Sequence, residues 1–278
     1  MIQQDILDLK DALDAQTLKK FRKFLKKYKN FQDVTLEKVA AVLLKNIDDS
    51  GAIVLSDGLA VKIREICVEQ GKQLIKDEKD FVSELLEDIY SDAYQKNAKI
   101  IGYKADFSLV RKEFIDKAIN APINGETFSR RIWKNTNQLA NRVKNDVLDM
   151  IREGKRPAEI ARQIKDDYNS SAYEAKRLVV TESAKIQTSA QVDVYEQSGV
   201  VSEVEFCATL ENNTCDDCGA MDGRRFSLDN APQIPIHPNC RCVLLPVVDD
   251  WKSTMRMDNS TRKTVDYIDW DNWKNKRG

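Results

Sequence analysis

Apolar positions recur every three and four residues from residue 1 to about 197, the spacing of one buried face on an α-helix. Leu18, Phe21, Phe24, Leu25 and Tyr28 form one such stripe, in a helix expected to begin near Gln16, and Phe81, Leu85, Leu86 and Ile89 form another. Breaks are expected near Asp49-Ser-Gly51, Asp57-Gly58, Gly102, the run Asn120 to Gly125 and Gly154, where glycine, proline and asparagine interrupt the period. Past the Pro122 to Gly125 break, a helix is predicted from about Thr127 to Glu153, stopped by Gly154. A second should open at Pro157. Ser171-Ala-Tyr-Glu174 has the capping-box pattern that predicts the start of a third, running toward Gly199.

Beyond Gly199 the period changes to two. Val201 to Ala208 and Cys242 to Val248 read as strands, and Asp222-Gly223 as a hairpin-type turn leading into Arg224 to Leu228. The expected fold is α+β and mainly helical: a helical N-terminal region over 1–120, then a helical domain over 121–248 ending in a small zinc-stabilised β-sheet. A polar arm over 249–278, with scattered Trp251, Trp270 and Trp273, should follow and dock or fold back.

Lys and Arg total 44 against 45 Asp and Glu, so no global field draws the chain to nucleic acid or an anionic membrane. Any electrostatic binding is local. The first residues have no basic stretch followed by an apolar one, and no window approaches the roughly 20 apolar residues of a membrane span, so a cytosol-like compartment and no membrane partner are expected. One local exception stands out. Lys19, Lys20, Arg22, Lys23, Lys26, Lys27 and Lys29 surround the first apolar stripe, a candidate contact for DNA or an acidic partner; Asp5, Asp8, Asp11 and Asp14 upstream would neutralise it if the two segments formed an α-hairpin.

Of six cysteines, four fall within residues 215–242 beside the single histidine, which in a reducing compartment points to metal rather than disulfides. Cys67 and Cys207 lie among apolar neighbours and read as core thiols. Cys215-Asp-Asp-Cys218 and His237-Pro-Asn-Cys240 are two ligand pairs, each with two intervening residues, as a tetrahedral zinc site requires. Cys242 is the alternative fourth ligand in place of His237. A shell of four strong ligands leaves no open position for chemistry, and with the only histidine committed, neither a Ser-His nor a Cys-His dyad can be assembled. The expected Zn2+ is structural, no catalytic residue is assigned, and the chain is expected not to be an enzyme.

Ile151-Arg-Glu-Gly154 with Glu159-Ile160, Leu178-Val-Val-Thr181-Glu182, Cys215-Asp-Asp-Cys218, Asp222-Gly223 and His237-Pro-Asn-Cys-Arg-Cys242, read together, resemble the phage minor head protein family, the head morphogenesis domain named for protein F of phage Mu. The likeness spans about residues 120 to 248. It departs from the family at Val180, where arginine is common, and at Cys207, where an aromatic residue is usual. The resemblance implies a capsid component acting in head assembly and DNA packaging or ejection, with the portal protein, the major capsid or scaffolding protein and packaged DNA as partners. It would be found in the host cytoplasm during assembly and inside the virion head. Two other readings stand beside it: a nucleic-acid-binding zinc protein, and an ADP-ribosyltransferase-like enzyme. Glu182 lies on the inward stripe of its helix and needs a partner there, expected to be Arg130, Arg131 or a backbone turn.

Overall fold

The computed structural model describes residues 2–104, 112–248 and 253–276; Trp251 lies outside them. The chain is α+β and mainly helical. Five helices come first: α1 (Ile2–Leu44), α2 (Asp57–Ile100), α3 (Lys112–Asn120), α4 (Phe128–Arg152) and α5 (Pro157–Ser198). Strand β1 (Glu203–Cys207), the short α6 (Asp216–Met221), β2 (Arg225–Ser227) and β3 (Val243–Pro246) follow, then β4 (Met255–Asp258), β5 (Lys263–Asp266) and α7 (Trp270–Asn275). No helix among the described residues is long and apolar enough to cross a membrane.

Local chemistry sets several of these boundaries. Thr127 caps α4, its hydroxyl accepting from the Arg130 amide. At the other end Gly154 takes φ 70°, so that its amide reaches the Ile151 carbonyl and the Lys155 amide reaches Met150, a Schellman closure that a Cβ would strain. Pro157 then opens α5, and Glu159 reaches back to the Arg156 amide at 3.0 Å.

Three expectations need correction. Ser171 starts no helix, because α5 runs unbroken from Pro157 to Ser198; the Ser171 hydroxyl is buried and lies 3.4 Å from that of Tyr28. The first basic stretch belongs to a helix that begins at Ile2, not near Gln16, so no α-hairpin folds the upstream aspartates onto it. Asp222-Gly223 does not join two adjacent strands. It closes α6 and feeds β2, which pairs with β1 across the intervening helix.

The chain forms two compact units, each drawn from separated stretches. The helical unit comprises Lys19–Glu84 and Pro122–Leu178. Its centre is aromatic: Phe24 stacks on Phe81 with ring centroids 4.4 Å apart, and Phe21 and Tyr28 pack beside them. Buried polar groups pair within it, Thr35 with Tyr168 at 2.7 Å and Tyr28 with the Glu78 carboxylate at 3.1 Å.

The sheet unit comprises Met1–Leu18, Leu85–Ala121 and Val179–Gly278. Its three-stranded antiparallel sheet has the order β2-β1-β3, with Val204 opposite Phe226 on one side and Pro246 on the other. Every residue of β3 is buried, so the alternation expected for a half-exposed strand is lost there. The Gln3 side chain fastens the start of α1 to this sheet, donating to the Pro246 carbonyl and accepting from the Ser253 amide. Residues 253–276, in the polar arm expected to dock or fold back, form the β4-β5 hairpin and α7, burying Trp270 and Trp273 against Leu210.

Candidate metal centre

Cys215 sits at the N-cap of α6, its Sγ accepting from the Cys218 amide at 3.4 Å, and the Gly219 amide closes onto the Cys215 carbonyl. This single turn sets Cys215 and Cys218 on one side. The second pair comes from a loop. The Cys240 amide donates to the His237 carbonyl, and Asn239, at φ 64°, supplies the left-handed residue this tight turn demands. Asn239 is itself tethered, its amide donating to Thr181 Oγ1 at 3.0 Å.

The two turns meet. Cys215, Cys218 and His237 bring their ligand atoms within 4.8 Å of one another, as do Cys218, Cys240 and Cys242. Cys218 belongs to both triads, so the two triads adjoin through that thiol. A tetrahedral zinc holds thiolates at about 2.3 Å, and the ligand atoms of each triad lie close enough together to face one ion. Cys218, Cys240 and Cys242 are buried, while Cys215 and His237 are half-exposed.

Two further observations fit a metal. His237 Nδ1 lies 2.9 Å from the Pro238 carbonyl, which only accepts, so the ring proton is on Nδ1. The bare Nε2 lone pair then faces Cys218 Sγ at 3.3 Å, the tautomer and aim that a ligand needs. The thiols also crowd one another. Hydrogen bonds from Cys218 and Cys242 hold Cys240 far below the usual thiol range, while the same contact with Cys240 pushes Cys218 well above it. Burial raises Cys67 to about 11 and Cys207 to about 12, and neither belongs to these triads.

Glu182 is fully buried and pairs with Lys185 one turn on, 2.8 Å away. Lys185 in turn donates to the carbonyls of Ile119 and Ala121. The pair thereby fastens the end of α3 to α5. Arg241, between the two last cysteines, pairs with Asp14 at 3.3 Å, Asp11 at 3.6 Å and Glu211 at 3.5 Å. These aspartates are therefore engaged by Arg241. Lys19, Arg22, Lys23, Lys26 and Lys27 are exposed and Lys20 is half-buried, on the side of α1 opposite Phe21, Phe24 and Tyr28.

Sequence reasoning missed the group behind the metal turn. Asp222 and Arg256, both 2 % exposed, form a two-pronged ion pair at 2.8 and 2.9 Å. Asp222 also accepts from the amides of Ala208 and Trp270, and Arg256 donates to the carbonyls of Ala208 and Ile268. The signal was the aspartate of the Asp-Gly turn, read only as a turn former. Gly219 packs under Trp270 so closely that an added Cβ would lie 2.3 Å from the ring.

Residues 141–245, which hold the C-terminal part of α4, all of α5 and every candidate ligand, match the family model described as Phage Mu protein F like protein. The chain carries a phage Mu protein F-like domain. Among curated relatives, an NAD(+)--arginine ADP-ribosyltransferase of Enterococcus faecalis is 28 % identical over 182 residues, 59 % of this chain and 37 % of that protein. An uncharacterized protein of Haemophilus influenzae is 27 % identical over 117 residues, 41 % of this chain and 26 % of its own length. The chain thus spans well under half of either relative. No solved structure gives a significant match.

Proposed function

We propose that this chain is a structural minor head protein of a tailed phage or prophage, located inside the virion head at the portal, and that it acts in head assembly and DNA packaging or ejection. The observation that carries the reading is the coincidence of the phage Mu protein F-like match with the ligand cluster, since the matched residues include every candidate ligand. Cys215, Cys218, Cys240 and His237, with Cys242 as alternative to His237, would hold one Zn2+. Bound there, zinc supplies no reaction step: it cross-links α6 to the loop before β3 and can contribute on the order of 10 kcal/mol to ordering them. The portal protein, the major capsid or scaffolding protein and packaged DNA are the partners this role calls for. The exposed cations of α1 from Lys19 to Lys27 offer phosphates a contact, because no acidic residue stands in α1 between Asp14 and Asp33.

The name of the Enterococcus relative favours a second reading, an ADP-ribosyltransferase. Glu182 speaks against it: the carboxylate has no solvent-exposed surface and neutralises Lys185, so it cannot reach a substrate. Affinity capture of the chain from cells producing phage, followed by mass spectrometry, tests the first reading. Portal and capsid proteins are expected; their absence, with transfer of ADP-ribose from NAD(+) to an arginine analogue, would establish the second.

A further inference from the structure

One face of α6 carries metal ligands, and another carries the anchors of the chain's last described segment. Asp216 pairs with Lys274 at 3.0 Å, and the same ammonium lies 4.3 Å from the centre of the Trp270 ring. Gly219 receives the face of Trp270. Asp222, the C-cap of α6, binds Arg256 of β4 through both oxygens and the Trp270 amide through one. The strand edge joins in: the Asn259 amide donates to the Leu210 carbonyl at 2.9 Å, and Leu210 completes an apolar cluster with Trp270 and Trp273. A six-residue helix is too short to hold its own shape in water, so its orientation comes from what grips it. Two grips are available here, a metal held by the candidate ligands on one side and residues 253–276 on the other.

We infer that Trp270, Arg256 and Lys274 are positioning residues for the metal centre, so that metal affinity and docking of residues 253–276 are thermodynamically linked. The inference rests on the metal reading above. Linkage is reciprocal: whatever factor the docked segment adds to metal affinity, bound metal adds to docking. Residues that orient metal ligands from behind commonly change affinity 10- to 100-fold when removed, and this range is expected for Trp270→Ala and Arg256→Ala. Lys274→Ala, at an exposed pair, should cost only a few-fold.

The test measures zinc affinity of the purified chain by competition with a chromophoric chelator, beside limited chymotrypsin digestion with and without EDTA. The expected result is weaker zinc binding in the order Lys274→Ala, then Trp270→Ala and Arg256→Ala, with chelation of the parent chain opening cleavage near Tyr267 and Trp270. Unchanged affinity in Trp270→Ala, in a chain whose helical circular dichroism is intact, would overturn the linkage while leaving the metal reading in place. Equal protease resistance with and without zinc would also overturn it. A parent chain that binds no zinc at all would overturn the metal reading itself.

Discussion

The Asn239 amide donates to Thr181 Oγ1 at 3.0 Å, tying the left-handed residue of the His237 to Cys240 turn to the middle of α5. The Thr181-Glu182 dipeptide is thereby given a structural task at each residue: Thr181 steadies the metal turn, and Glu182, through Lys185, holds the end of α3.

The Thr181 contact makes a first prediction. Thr181→Val keeps the shape of the side chain and removes the acceptor, leaving the Asn239 amide without its partner. A part-buried donor orphaned in this way costs about 1–3 kcal/mol. Thermal unfolding of the zinc-loaded protein should show that loss in Thr181→Val and recovery in Thr181→Ser. Equal stability of all three would mean that the tether does not matter.

Glu78 gives a pH prediction for the helical unit. Its side chain is buried, Tyr28 donates to it, and burial raises its carboxyl from an ordinary 4.5 to about 7. Below about pH 4.5 the group is protonated both folded and unfolded, and it costs nothing. Between 4.5 and 7 the folded state retains a proton that the unfolded chain has released, so stability falls as pH rises. Above 7 the cost is fully present, roughly 3 kcal/mol from a shift of that size. Glu78→Gln should remove this slope, and the difference in stability between Glu78→Gln and the parent should grow from pH 4.5 to 7 and then level. A difference that is flat across that window contradicts the burial account.

The basic face of α1 predicts salt-sensitive DNA binding. Reversing Lys19, Arg22, Lys23 and Lys26 to glutamate removes up to four phosphate contacts and should lower the slope of log affinity against log salt by roughly 3 to 4. These side chains are exposed, so the helix should tolerate the change. Affinity for duplex DNA that persists in the reversed variant would place the contact elsewhere.

Much of the fold was legible because its signals are local. Thr127 and Gly154 terminate α4 through hydrogen bonds to residues within five positions, and the pairing of cysteines and histidine across two intervening residues announces tight ligand turns by itself. What misled or stayed silent depends on distant partners. Ser171-Ala-Tyr-Glu174 has every local feature of a helix start, yet the Ser171 hydroxyl lies against Tyr28, 143 residues away, and the helix passes straight through. Residues 253–276 show no clean period because their order comes from Asp222 meeting Arg256 and from Gly219 leaving room for Trp270. Choosing among five ligands is a matter of tertiary geometry too, since Cys218 shares one triad with His237 and the other with Cys242.

The central claim is that four of these five side chains, Cys215, Cys218 and Cys240 with His237 or Cys242, close around one structural ion. Elemental analysis of the purified chain tests it most directly. The account predicts about one zinc per chain, lost in Cys218→Ser because that thiol belongs to both triads. A chain that carries no zinc after purification in zinc-replete, reducing buffer, or a Cys218→Ser variant that keeps its full complement, would contradict it.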